Sequence, residues 1–320
     1  MEETESWCMD RLGTRCRRSG FSAILTVLII VALVRELPVG HGRAAALATH
    51  TSTRATLQAQ VVTTDLAIGR NRFAFGVLAN NHPVLIGSPR LQFFYLHGNA
   101  PHAMGKTTAT FSDFARGLPR TAANSAATEI RGVYVAYMRF AQAGNWGVQI
   151  RARYNGKVRV IDVGFVVREH SVAPAIGQPA PRSHNPTNHQ QPVAKLDSGR
   201  PPDDMHALSI AHALAQHKPL VVLFSTPAFC ESRMCGPQTN IVVQIEQRYR
   251  TRTNFIHIEV YKDAEISHGY TSTFKQWHLP TEPWVFVINR RGIVAARFEG
   301  PTSGQEISTA LNVTLRAGRQ

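Results

Sequence analysis

Cysteine is scarce in this chain of 320 residues, which has four: Cys8, Cys16, Cys230 and Cys235. None lies between Cys16 and Cys230, so no lipid-acceptor cysteine follows the amino-terminal apolar segment. That segment runs from Phe21 to Val34 and is shorter than the ~20 residues that a comfortable transmembrane helix needs. The sequence therefore excludes a lipoprotein of this kind, and the segment fits a signal-peptide core better than a membrane span.

Acidic residues are also few, since 21 Asp and Glu stand against 35 Lys and Arg, for a net charge of +14. Such a surplus would suit nucleic acid if the charges formed a basic stripe interleaved with aromatic side chains. The arginines are instead scattered singly or in short pairs, as at Arg151, Arg153, Arg290 and Arg291. We therefore expect no nucleic-acid partner, and a solvated basic surface of the kind that lies near anionic lipid.

Four arginines between Arg11 and Arg18 precede the apolar segment. Residues 1–36 are thus predicted to form a short cytoplasmic tail and a signal or anchor helix that contacts the membrane through this segment. Cleavage after Ala46 or Ala48 and retention as an anchor both remain open. Because flanking arginines stay on the cytoplasmic side, either outcome places the main domains outside the cytoplasm, in the cell envelope.

Residues 37–58 are rich in Ala and Thr without a clear period, and we interpret them as a tether. From residue 59 to 172, segments of strand length alternate or run apolar between turn residues. The clearest are residues 72–78, 91–96, 132–140, 146–153 and 158–167. Asn155 and Gly156 form a strong hairpin turn between the last two. This pattern predicts an all-β sandwich.

Proline then becomes frequent, and residues 173–202 are predicted to be a semi-extended linker because this composition resists helix and sheet. Its two histidines, His184 and His189, are expected to be solvated.

The remaining residues, 203–320, alternate helical and strand patterns, which indicates an α/β layer fold. Helices are predicted over residues 203–217 and 237–250, with a short helical turn at 274–278. Strands are predicted over residues 219–224 and 254–261, and a hairpin over residues 284–298. Thr302 or Ser303 can cap a final helix that reaches about Leu315.

Cys230 and Cys235 lie in the turn between the first of these strands and the helix that Pro237 opens. We expect this loop to be exposed, and the helix end to supply partial positive charge that favours the thiolate. A loop of this length lets the two Cα atoms approach within the ~4.4–6.8 Å that a disulfide requires. Closing so small a ring constrains the unfolded chain little, which favours a redox couple over a structural staple. A static bridge formed in an oxidising compartment is the alternative.

The order of elements over about residues 203–315 resembles the thioredoxin-like superfamily. The segment Phe224-Ser-Thr-Pro-Ala-Phe-Cys230 resembles the lead-in to its first cysteine, and Cys235-Gly236-Pro237 resembles its Cys-Gly-Pro motif. Thr281-Glu282-Pro283 looks like the start of its cis-proline strand. The whole layout, a sandwich and then a Pro-rich linker, resembles bacterial envelope proteins of the thioredoxin family. Their front domain is a YtkA-like, immunoglobulin-like β-sandwich.

This resemblance implies thiol–disulfide exchange with protein thiols or disulfides outside the cytoplasm, without a cofactor. Cys230 would attack and Cys235 would resolve, with Gly236 and Pro237 at the helix N-terminus. The backbone of Glu282, before a cis Pro283, would pair with an extended substrate segment.

The sequence also departs from the thioredoxin pattern. Four residues separate the cysteines instead of two, and Gln238 stands where the second cysteine would follow Cys-Gly-Pro. Leu223 stands where a buried acid often precedes the motif. Proton transfer to or from the resolving thiol would therefore need Glu231 or water.

A rival interpretation is a non-enzymatic binding module on the same fold, such as a copper chaperone of the Sco type. Cys230 and Cys235 would then bind Cu(I) together with a histidine, because thiolate and imidazole suit that ion. His257, His268 and His278 are the candidates, and His268 is the most available of them. The Thr226-Pro-Ala-Phe-Cys230 segment also loosely resembles a peroxiredoxin loop, which would imply thiol peroxidase activity.

Overall fold

Alternating buried and exposed side chains form strands in the first part of the chain. The computed structural model describes residues 56–98, 100–114, 116 and 130–318. In these residues the first part contains β1 (Leu57–Val61), β2 (Gly69–Ala79), β3 (His82–Pro83), β4 (Arg90–His97), β5 (Ala100–Thr108), β6 (Thr110–Asp113), β7 (Gly132–Phe140), β8 (Gly144–Tyr154) and β9 (Lys157–Val167). β1 begins at Leu57, inside the predicted tether.

These strands form two antiparallel sheets, one in the order β1-β2-β7-β6 with β3 beside β2, the other in the order β5-β4-β8-β9. Aromatic side chains from both sheets meet in one buried cluster, which includes Phe73, Phe93, Phe140 and Trp146. The two sheets thus form the expected all-β sandwich. The predicted turn residues, Asn155 and Gly156, both have positive φ, 49° and 73°, as a two-residue hairpin of this type requires.

The proline-containing segment after the sandwich is extended, but it is not a free spacer. Ala173, Ala180 and Leu196 are buried, and backbone hydrogen bonds join the segment to a strand further along the chain. Gly177 donates to the carbonyl of Val294 at 2.9 Å, and Val294 donates to that of Gln178 at 2.9 Å. Proline lacks a backbone donor but keeps its carbonyl, so this sequence can line the edge of a sheet. The segment contains one short helix, the 3-10 turn Val193–Lys195.

The last part of the chain alternates helices and strands. Its elements are α1 (Ile210–Ala215), β10 (Leu220–Ser225), α2 (Cys235–Tyr249), β11 (Asn254–Glu259), the 3-10 turns Lys262–Ala264 and Ile266–His268, α3 (Ser272–Gln276), β12 (Trp284–Ile288), β13 (Val294–Glu299) and α4 (Gly304–Ala317). The strands form one sheet in the order β11-β10-β12-β13. β10 pairs parallel with β11 and antiparallel with β12.

Every residue of β10 is buried, so this strand lies at the centre of the domain. Val221 and Leu223 face a cluster shared with α2 and α4, while Leu220, Val222 and Phe224 face a cluster shared with α1 and α3. The sheet is therefore covered by helices on both faces. This layer order is thioredoxin-like, as the resemblance implied.

Two of the predicted helices have different bounds in the structure. The predicted helix over residues 203–217 is much shorter, because the chain becomes helical only at Ile210, where Ser209 caps it by accepting from the backbone of His212. The carboxylate of Asp203 accepts a hydrogen bond from the backbone of Met205 at 2.9 Å, a local bond that competes with helix. The next helix begins at Cys235, two residues earlier than predicted.

The predicted signal or anchor segment from Phe21 to Val34 lies outside the described residues, as do Cys8, Cys16 and nearly all of the predicted tether. Among the described helices, none combines the length and the apolar character that a membrane crossing requires.

Buried ion pairs join the sandwich to the α/β domain. Asp65, which is buried, accepts a hydrogen bond from the Arg297 guanidinium at 2.9 Å and another from the backbone of Val172 at 3.0 Å. Arg72 of β2 pairs with Glu306 of α4 at 2.8 Å. Since both pairs are shielded from water, losing one partner leaves an uncompensated charge in the junction.

We therefore expect Asp65→Asn to lower the free energy of unfolding by about 3–5 kcal/mol, because Arg297 would keep its charge without its partner. Urea denaturation followed by tryptophan fluorescence measures this change. Asp113→Asn is the matched control, since Asp113 pairs with the exposed Arg131 at 3.1 Å. It should cost only about 0–1 kcal/mol. Equal effects of the two substitutions would contradict a buried junction pair.

Candidate functional site

The two cysteines lie at the end of β10, where a tight turn leads into α2. The backbone amides of Phe229 and Cys230 both donate to the carbonyl of Thr226, at 3.2 and 3.1 Å. Cys235 is the first residue of α2, and its carbonyl accepts a hydrogen bond from the Ser225 hydroxyl at 3.2 Å. The end of β10 therefore fixes the turn at Cys230, and the start of α2 fixes Cys235.

Both cysteines are free thiols and both are buried, with 8% of Cys230 and 0% of Cys235 exposed. The prediction of an exposed loop is therefore wrong for the thiols, although Glu231, Ser232 and Arg233 between them are exposed. Met234 packs into the cluster under α2, which draws this end of the loop towards the core. Cys230 thus keeps a small exposed surface, whereas Cys235 has none.

The Cys230 thiolate is stabilised by several hydrogen bonds at once. The thiol of Cys235 donates a hydrogen bond to the thiolate, and this bond lowers the pKa of Cys230 by more than burial raises it. Hydrogen bonds from the Ser232 hydroxyl and from the backbone amides of Cys235 and Met234 lower the pKa further. Ser232 Oγ lies 3.2 Å from Cys230 Sγ. Together these groups lower the pKa of Cys230 to about 6. At neutral pH this residue is therefore mostly a thiolate.

Cys235 has the opposite character. Burial, and then the neighbouring Cys230 to which it donates, raise the pKa of Cys235 well above its ordinary value. Its thiol consequently keeps its proton while Cys230 is charged. A pair with one nucleophilic and one protected thiol can perform two successive exchange steps.

Glu282 and Pro283 are joined by a cis peptide bond immediately before β12. Burial, and then the charges of Cys230, Glu231 and Glu259, raise the pKa of Glu282 to about 7. The half-buried carboxyl group of Glu282 is thus electrostatically coupled to the thiol pair. The sequence predicted a role for the Glu282 backbone alone and left proton transfer to Glu231 or water. The position of this acid beside the expected cis proline was the signal that could have indicated its side chain.

The other predicted site residues lie around this centre or apart from it. Gly236 and Pro237 occupy the first turn of α2, and the buried Gln238 accepts a hydrogen bond from the backbone of Thr302 at 2.8 Å. His268 lies on an exposed 3-10 turn, 3.2 Å from a carboxylate oxygen of Asp263. His278 is exposed, whereas His257 is buried in β11.

A second polar group was missed from the sequence. Asp197, Asp203, His206 and His257 bring one ligand atom each within 4.8 Å of one another. Among the described residues, this is the one group of three or more metal-ligating side chains close enough to hold an ion. Cys230, Cys235 and His268, the set expected for copper, do not form such a group. Only His257 had been considered, because the two aspartates and His206 lie in segments that were interpreted as linker and helix.

A cleft of about 1790 Å³ lies between the sandwich and the α/β domain and is lined by charged residues that include Arg70, Arg72, Arg248 and Glu306. Neither cysteine lines it. The cleft is therefore separate from the thiol pair.

No family model matches this chain, and no curated protein matches it. One similar solved structure is a thiol:disulfide interchange protein of the thioredoxin family from Chlorobium tepidum TLS, with 20% identity and a TM-score of 0.32, covering 45% of this chain and 99% of that one. A superoxide reductase (neelaredoxin) from Ignicoccus hospitalis has 11% identity and a TM-score of 0.20, covering 37% of this chain and 83% of its own. The PmoD soluble domain from a Methylocystis species has 13% identity and a TM-score of 0.20, covering 36% and 92%. These likenesses are too low to carry an argument about function.

The geometry predicts unequal alkylation of the two thiols. In the reduced protein, the rate of iodoacetamide modification of Cys230 should rise with pH around a midpoint near 6, because only the thiolate reacts. Cys235 should remain largely unmodified. Ser232→Ala should raise the midpoint of Cys230, since it removes one donor to the thiolate. Peptide mass spectrometry measures both sites, and a shared midpoint near the ordinary ~8.5 would contradict the assignment.

Proposed function

We propose that the α/β domain catalyses thiol–disulfide exchange through Cys230 and Cys235. The observation that supports this most is the contact between the two thiols, in which Cys235 donates to Cys230 and helps to lower its pKa to about 6. A static bridge would need no such difference between its two thiols. The proposal therefore rests on their unequal proton affinities and on their place at the N-terminus of α2.

In the reducing direction, the Cys230 thiolate attacks one sulfur of a partner disulfide. A bond forms between Cys230 and that sulfur, the partner's S–S bond breaks, and the second partner sulfur leaves as a thiolate. Cys235 then loses its proton and attacks Cys230 Sγ, which closes the Cys230–Cys235 disulfide and releases the first partner sulfur. The Cys230–Cys235 pair supplies two electrons and the proton of Cys235, and the second proton that the partner takes up comes from solvent, because Cys230 starts as a thiolate. Oxidation of a partner dithiol is the same sequence reversed.

Glu282 is the group that we assign to the proton of Cys235. Its charge is among the causes that raise the pKa of Cys235, so the two groups interact. When Cys230 enters a mixed disulfide it loses its negative charge, and one cause of the raised pKa of Glu282 disappears. Glu282 then becomes a carboxylate that can accept the proton at the step where Cys235 must attack. Glu282 would thus do the work of the buried acid of the thioredoxin pattern, whose position is occupied here by the apolar Leu223.

The expected partners are protein thiols or disulfides outside the cytoplasm, with no resident cofactor. The backbone of Glu282 precedes the paired part of β12, which starts at Trp284, and could pair with an extended partner segment. The proposed cell-envelope location rests on the arginine-flanked segment from Phe21 to Val34. The relation of the sandwich to YtkA-like, immunoglobulin-like domains is part of the same proposal.

Substitutions of the two cysteines should have different effects. Cys230→Ser should abolish disulfide reduction with insulin as substrate, because the attacking thiolate is lost. Cys235→Ser should instead accumulate a mixed disulfide on Cys230, because the resolving thiol is missing. Non-reducing electrophoresis with mass spectrometry identifies the trapped partner. The double variant Cys8→Ser/Cys16→Ser is the matched control and should retain activity; unchanged turnover in Cys230→Ser would refute the proposal.

Glu282→Gln should slow the resolution step by about 100-fold at neutral pH, the range of a lost general base. It should leave the pKa of Cys230 near 6, because Glu282, with a pKa of about 7, is mostly neutral at the pH where Cys230 titrates. Rapid-quench kinetics of the mixed disulfide measures the first effect and alkylation against pH the second. Glu231→Gln, an exposed acid of the same loop, is the control. An equal slowing in both variants would argue against Glu282 as the proton acceptor.

A further inference from the structure

The buried group formed by Asp197, Asp203, His206 and His257 has no part in the thiol chemistry. Three of these residues come from the extended segment before α1, and His257 comes from β11. All four side chains are at least nine-tenths buried. Charged and polar groups are seldom placed in the interior unless they pair with each other or bind an ion.

The distances between the facing atoms scatter around the donor spacing of a four-coordinate metal site, with Asp203 facing the two histidines through different oxygen atoms. His206 Nε2 lies 3.2 Å from Asp203 Oδ1 and 3.5 Å from Asp197 Oδ2. His257 Nδ1 lies 2.8 Å from Asp203 Oδ2 and 3.9 Å from Asp197 Oδ2. Metal–ligand bonds of ~2.0–2.1 Å in a tetrahedron place the donor atoms about 3.3 Å apart. The observed spacings lie on both sides of that value.

One of these atoms lacks a hydrogen bond. His206 is 3% exposed, and its Nε2 atom makes no hydrogen bond although two carboxylate oxygens lie near it. A buried imidazole nitrogen that has carboxylate neighbours but no aligned hydrogen bond is incompletely satisfied, since it has also lost its interaction with water. A cation at the centre of the group would satisfy this nitrogen directly.

The surrounding contacts orient the other ligands. The ring nitrogen Nε2 of His257 lies 3.2 Å from the carbonyl of Ser225 and donates to it, which leaves Nδ1 facing the two aspartates. Asp197 accepts from the backbone of Gly199 at 2.7 Å, and Asp203 accepts from the backbone of Met205 at 2.9 Å. Histidines that bind metals usually donate their second nitrogen to a carbonyl or carboxylate in this way.

We propose that Asp197, Asp203, His206 and His257 bind one divalent transition-metal ion, of which Zn²⁺ is the best match. Imidazole and carboxylate ligands suit Zn²⁺, and a site without sulfur does not suit Cu(I). The two carboxylates and the divalent ion sum to zero charge, so the site can be buried. Two protonated imidazoles would give the same total charge, and this metal-free ion cluster is the alternative that the experiment must separate.

The metal would join the extended segment to β11 and would lie next to the cysteine loop. Ser198, the neighbour of Asp197, accepts a hydrogen bond from the backbone of Ala228 at 3.1 Å. Ser225 contacts His257 through its carbonyl and the Cys235 carbonyl through its hydroxyl. The ion has a structural role here, and the inference does not depend on the proposed redox activity.

The test uses the full-length chain, which is unfolded in denaturant with a chelator to remove any metal and is then refolded with Co²⁺ or Zn²⁺. We expect one ion per chain in native mass spectrometry, and strong visible absorption from tetrahedral Co²⁺. Cys230→Ser/Cys235→Ser should bind the ion as the unsubstituted chain does. His206→Ala should weaken binding by more than about 100-fold, since even changes outside the ligand set cost about 10–100-fold. His268→Ala is the matched control, because His268 belongs to an exposed His–Asp pair.

Failure of the folded, unsubstituted chain to bind Co²⁺ or Zn²⁺ would overturn the proposal in favour of a metal-free ion cluster. This measurement needs no variant, so a misfolded His206→Ala protein cannot obscure it. Loss of binding in the cysteine double variant, with sulfur-to-cobalt charge-transfer absorption in the unsubstituted chain, would also overturn it. That result would place the ion on the thiols.

Discussion

The burial of strand β10 on both faces is the constraint on which the α/β domain depends. Leu220 to Phe224 are all fully buried between two apolar clusters, so the strand cannot shift without opening both. Its last residue, Ser225, then has a fixed position. The hydroxyl of Ser225 contacts the first residue of α2, and its carbonyl contacts His257. The thiol pair and the buried Asp–His group are therefore both positioned by the carboxyl end of one strand.

The thiol pair has the asymmetry of a redox centre in spite of its unusual spacing. Hydrogen bonds, chiefly from Cys235, keep Cys230 charged, and burial keeps Cys235 protonated. The acid that interacts with them is Glu282, which precedes the cis proline, and it does not come from the central strand. A longer loop between the cysteines and a displaced acid can thus preserve the electrostatics that exchange requires.

Much of the fold follows from local patterns, and the parts that do not have physical reasons. Alternation of period two indicated the strands around Phe73, Phe93 and Trp146, because each has one face in the core. β5 escaped the prediction because nearly all of its side chains are exposed. The burial of Cys230 could not be predicted, since it depends on how Met234 packs against distant helices. The Asp–His group depends on tertiary contacts, because Asp197 and His257 lie 60 residues apart in the sequence.

The reduction potential of the Cys230–Cys235 pair tests the central claim most directly. The full-length protein is equilibrated in glutathione or dithiothreitol buffers of known potential, and its free thiols are then counted by alkylation and mass spectrometry. The account predicts a two-electron transition well above about −300 mV, in the range of thioredoxin-type proteins, because the reduced state is stabilised by the Cys230 thiolate. A disulfide that resists reduction below about −300 mV, or a failure of these two cysteines to pair, would contradict it.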